Sequence, residues 1–121
     1  MPPPGYLHAI IATRLTVWLA TAGVPADRIT QAVGLCIPGR DGGLGGRIPD
    51  LVVWGRAQSD GIWLPVTDVL LVVEIVSPGS AGVDTVTKRA EYAGAGIPQY
   101  WVIDQDATQT VTMYRLAGED Y

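Results

Sequence analysis

The chain has 121 residues and a net charge of −4, from 8 Lys and Arg against 12 Asp and Glu. Apolar residues make up 48% and charged residues 17%, the balance of a soluble globular chain long enough to bury about two thirds of its unfolded surface around one core. The acidic balance excludes indiscriminate nucleic-acid binding but not a local basic groove, the aliphatic run Val69 to Val73 is too short to cross a bilayer, and the lone Cys36 rules out an intrachain disulfide or a CxxC zinc site.

A single domain over residues 1–121 is therefore expected, with no membrane segment. The start MPPPGYLH lacks the basic residues and apolar block of a secretory signal, so a cytoplasmic location is the expectation.

Along YLHAIIATRLTVWLATA, residues 6–22, apolar side chains recur at Leu7, Ile11, Leu15, Trp18 and Ala22, the spacing of one helix face. Gly23 and Pro25 follow as stop signals. Residues 29–37, ITQAVGLCI, alternate bulky and small side chains, which predicts a strand whose flat side (Ala32, Gly34, Cys36) suits close packing of a helix. GRDGGLGG, residues 39–46, reads as a loop, because so many glycines hold regular structure at high entropic cost. It matches neither GxGxxG nor a lysine-containing phosphate loop.

A strand is expected from about Ile48 to Trp54, then a polar turn, the short segment IWLPV, and a strand through LLVVEIV. DTVTKRAEYAGAG predicts a helix with Asp84 as its N-cap and Gly94 or Gly96 near its end. QYWVID and TVTMYRL predict two paired strands. The predicted fold is α/β (α+β), a central mixed sheet flanked by helices in the order αβββαβ(β).

Glu74 is the anomaly in this pattern. Its aliphatic neighbours mark a strand covered on both faces, where a lone carboxylate is costly without a partner, a proton or a metal. Asp50 opens the preceding long strand. If the two strands are adjacent, their carboxylates converge and repel, and a divalent cation such as Mg2+ or Mn2+ relieves that repulsion with hard oxygen ligands. Asp84 and Lys88 are four apart on one helix face, and Lys88, the chain's only lysine, would place a cation beside the pair. Arg40, Arg47, Arg56 and Arg89 lie with Lys88 in the middle of the chain and are candidates for a DNA-contacting groove or for plain solvated loops.

The succession IPDLVVW, LLVVEIVSPGS and DTVTKRAEYAGAGIPQYWVID resembles the Uma2 family of restriction endonuclease-like proteins, a branch of the PD-(D/E)XK nuclease superfamily. The resemblance runs from about His8 to Asp104 and is most specific from Val73 to Asp104. It implies a core of helix, three strands, helix and strand, and magnesium-dependent cleavage of DNA phosphodiester bonds. Carried over residue by residue, it implies that Asp50 and Glu74 bind the metal together with the backbone carbonyl of Ile75, that Lys88 is the catalytic lysine, and that His8 and Asp84 line the site.

The superfamily's usual pattern has a lysine two residues after the second acid, where this chain has Val76. The family pattern also has an acid-containing hairpin before the first helix and strands beyond residue 121, so a short, partial or degenerate member is in view. Three functions stand open: the DNA endonuclease, a hydrolase of another phosphate ester, and a catalytically silent binding module in which Glu74 merely pairs with Lys88 or an arginine. A homodimer is the expected assembly if both strands are cut.

Overall fold

The computed structural model describes residues 4–38, 44–77, 83–105 and 110–121, the side chains of Leu44, Val83 and Asp84 excepted. The first helix forms as α1 (Tyr6–Thr21) and stops before Gly23, whose φ of 108° suits a residue without Cβ. Its buried face carries Ala12 and Leu19, with Ile11 and Leu15 packed beside them. Leu7 and Trp18, expected on that face, are exposed. Apolar side chains occur all around this helix, so their spacing alone could not select the side that packs.

The single strand expected over residues 29–37 divides into β1 (Ile29–Gln31) and β2 (Gly34–Pro38). Between them Ala32 takes φ of 53°, an uncommon conformation for a non-glycine residue, and the turn sends the two halves into different sheets. The flat side of β2 receives an indole rather than a helix. A Cβ at Gly34 would lie 2.6 Å from the Trp63 ring, and one at Gly46 would lie 2.7 Å from it. Part of the expected glycine loop is strand as well: β3 (Leu44–Arg47) pairs antiparallel with β2. The missing side chain at Gly46 is what lets the indole lie on it.

The remaining elements are β4 (Leu51–Trp54), β5 (Trp63–Pro65), β6 (Val69–Val76), α2 (Val83–Gly94), β7 (Gln99–Asp104) and β8 (Val111–Arg115). A five-stranded sheet has the order β1-β4-β6-β7-β8, and a three-stranded sheet the order β3-β2-β5. Within the large sheet β6 and β7 are parallel, joined through α2, while its other neighbours are antiparallel. The fold is thus mixed α/β, as expected, and restriction endonuclease-like.

Alternation along the strands splits the core in two. Val52, Trp54, Val72 and Val102 share one cluster with Tyr92 of α2 and with Leu35 and Ile37 of the small sheet. Leu51, Val53, Leu71, Val73, Ile75 and Ile103 share the other with Ala12 and Leu19 of α1. Because successive side chains of a strand point to opposite faces, the helices cover opposite faces of the large sheet. Among the described residues, no helix is long and apolar enough to cross a membrane.

Candidate active site

β4 runs antiparallel to β6, with Leu51 opposite Val73. The start of one strand therefore lies beside the end of the other, and Asp50, the residue before β4, meets the stretch of β6 that holds Glu74 and Ile75. Asp50 Oδ2 accepts the Ile75 N–H at 2.7 Å, and Asp50 Oδ1 lies 2.9 Å from Nε2 of His8 on α1. One carboxylate thus ties the first helix to the sheet end.

Glu74 has the strand parity of Val72 and points to the α2 side, where only 4% of it remains exposed. Lys88 Nζ stands 2.7 Å from Glu74 Oε2, and the Tyr92 hydroxyl reaches the same oxygen at 3.5 Å. Burial lifts the Glu74 carboxyl above its ordinary range, the Lys88 ammonium pulls it back without cancelling that effect, and the nearby Asp50 charge pushes it further up. Burial, and then the charge of Glu74, likewise raise the Tyr92 hydroxyl.

The strand tolerates this carboxylate because its neighbours anchor it. Val72, Val73 and Ile75 are all buried and each contributes about 1.5–3 kcal/mol, together enough to offset the several kcal/mol that a buried ion costs.

The Ile75 carbonyl also faces this end. Val76 O accepts the Gln105 N–H from the β7 side, and successive carbonyls of a strand alternate in direction, so the Ile75 carbonyl points to the flank of Asp50.

Of the residues singled out in the sequence, the fold brings together His8, Asp50, Glu74, Ile75 and Lys88. Asp84 lies inside α2 rather than at its N-cap, with its side chain outside the described residues. Arg40 also lies outside them. Arg47 grips Glu91 through two hydrogen bonds of 2.7 and 2.9 Å. Arg89 stacks 4.5 Å from the centre of the Tyr114 ring and donates to the Tyr121 carbonyl at 3.2 Å. Arg56, largely exposed, is 3.5 Å from Asp68.

Two partners escaped the sequence reading. Tyr92 was legible in principle, since it follows Lys88 by four residues and shares its helix face. Glu91 was not, because its partner Arg47 is distant in the chain.

Asp50 and Glu74 thus stand on adjacent strands near one end of a mixed sheet, with Lys88 of α2 bonded to Glu74. The Uma2 family model, described as "Putative restriction endonuclease", matches residues 1–121, and the chain belongs to that family. No curated protein matches the chain.

Proposed function

We infer that the chain is a metal-dependent endonuclease that hydrolyses DNA phosphodiester bonds, with Asp50 and Glu74 as metal ligands and Lys88 as the catalytic lysine. The observation that carries this reading is that Asp50 and Glu74 stand on adjacent strands at one end of the sheet, near enough for the Asp50 charge to push the Glu74 carboxyl up, with Lys88 2.7 Å from Glu74. Family membership supports the nuclease class and DNA as the substrate.

The donor set fits magnesium or manganese. Among the described residues no three His, Cys, Asp or Glu gather into a group that could hold a metal ion. Two carboxylates and a backbone carbonyl suit an ion that retains several waters and binds substrate phosphate. The mutual repulsion of the acids, visible in the upward push of Asp50 on Glu74, is what a dication removes. When bound, such an ion supplies Lewis-acid polarisation of the phosphoryl group and a more acidic water.

The chain's own residues do the rest. His8 and the Ile75 N–H hold the Asp50 carboxylate in place, so little orientation is left to find on binding. Lys88 is assigned two tasks: in the free protein it compensates Glu74, and with substrate present its ammonium stabilises negative charge building on the phosphate or holds the attacking water. Tyr92 donates to Glu74 without adding charge. Arg56, exposed on the turn after β4, lies at the opposite end of that strand from Asp50, so any DNA contact it makes is away from the acid pair. A cytoplasmic setting suits the free thiol of Cys36, and pairing of two copies would allow both strands to be cut.

A silent binding module draws on the same contacts. Both acids have partners within the fold, and Val76 stands where the superfamily's usual lysine would be. Relaxation of supercoiled plasmid with and without Mg2+ separates the two: the nuclease cuts only with the metal, and the silent module neither cuts nor binds it.

A further inference from the structure

Between the inner face of the small sheet and α2 lies a groove of about 580 Å³, lined by Ile37, Pro38, Gly45 and Gly46 on one wall and Thr87, Ala90 and Gly94 on the other. The ion pair of Arg47 with Glu91 closes one part of it. Its size falls within the roughly 300–1,000 Å³ of small-ligand sites, which are mostly apolar with a few placed polar groups.

The groove adjoins the acid site through one helix. At about 100° per residue, Thr87, Glu91 and Gly94 lie within about 60–120° of Lys88 around the α2 axis. Thr87 and Glu91 of the groove wall stand within one turn of Lys88 on α2, so the groove lies beside the place where a strand held at Lys88 would run.

Charge decides which part of that strand fits. The Arg47 guanidinium is held by the Glu91 carboxylate through two hydrogen bonds, so its charge is already matched within the fold before a phosphate arrives. Small apolar walls with a hydroxyl, a carboxylate and a guanidinium at their edge suit a flat, uncharged group that carries both hydrogen-bond donors and acceptors. We propose that the groove between β3 and α2 receives a nucleobase of the strand whose phosphodiester lies at Glu74 and Lys88, which rests on the nuclease reading above.

The test is binding rather than cleavage. Fluorescence anisotropy in EDTA compares labelled single-stranded oligothymidylate of about twelve nucleotides with an abasic strand of the same length, for the wild-type chain, Gly45→Val and Gly94→Leu. Both substitutions fill the groove with little strain: a Cβ at Gly45 meets only the Ile37 carbonyl, at 3.8 Å, and one at Gly94 meets nothing within 4 Å.

The wild-type chain is expected to bind the base-bearing strand about tenfold more tightly than the abasic one, as for a single base contact, and each variant to lose that preference. Equal affinity for the two probes, no binding to either, or a preference that survives both substitutions overturns the proposal. Plasmid cleavage without base preference would sink the groove alone, whereas base preference without metal-dependent cleavage would sink the nuclease reading alone.

Discussion

Lys88 and Glu74 form a buried ion pair, Nζ to Oε2 at 2.7 Å, between the middle of α2 and the end of β6. Lys88→Met leaves the carboxylate without its cation. The expected loss is about 2–3 kcal/mol, below the roughly 3–5 of a fully buried pair because the lysine side chain keeps 23% exposure. Adding Glu74→Leu should restore most of that stability, since a matched apolar pair carries no desolvation cost. Urea unfolding of the single and double variants checks this, and a double variant no more stable than Lys88→Met would contradict it.

The raised Glu74 carboxyl fixes the sign of a pH effect. Its folded-state pKa lies above its ordinary value of 4.5, so the folded protein holds this proton more tightly than the unfolded chain does. The contribution is fully favourable below the ordinary value and is lost as pH rises through the folded one. Glu74→Gln, which mimics the protonated acid, should therefore gain stability relative to wild type as pH rises above 4.5. Denaturation midpoints in EDTA across that window measure the gain; parallel profiles would show that Glu74 titrates normally.

The dication proposed at Asp50 and Glu74 would bind the folded state alone and so stabilise it. At a hundred times its dissociation constant the gain is about 2.7 kcal/mol, seen as an upward shift in Tm. Asp50→Ala should abolish the shift. An equal rise in wild type and variant would place the metal elsewhere.

The large sheet was readable because its strands carry their own signals: the aliphatic run around Glu74 marks a strand covered on both faces, and QYWVID with TVTMYRL shows the period of a paired edge. Asp50 and Glu74 stood out for the same reason, as acids set against apolar neighbours. The small sheet was hidden. Its first strand is severed from β1 by an alanine at φ 53°, a conformation that no side-chain preference announces, and its second lies in a glycine-rich stretch that reads as loop. The Arg47 grip on Glu91 depends on that sheet and was lost with it.

The small sheet also yields a packing prediction. A Cβ at Gly34 would approach the Ile62 carbonyl at 2.8 Å as well as the indole, so Gly34→Ala should cost about 1–3 kcal/mol as an overpacked site. Gly45→Ala, on the opposite side of the same sheet, should be close to neutral. Thermal unfolding followed by tryptophan fluorescence compares them, and equal effects would contradict the position assigned to Trp63.

The central claim is that Asp50 and Glu74 together make the chain a metal-dependent nuclease. Relaxation of supercoiled plasmid in Mg2+ by wild type, Asp50→Asn and Glu74→Gln tests it most directly. Each substitution should slow cleavage by about a hundredfold or more, since even groups that only orient a metal ligand are worth about 10–100-fold. Cleavage that needs Mg2+ yet proceeds undiminished in both variants would contradict it.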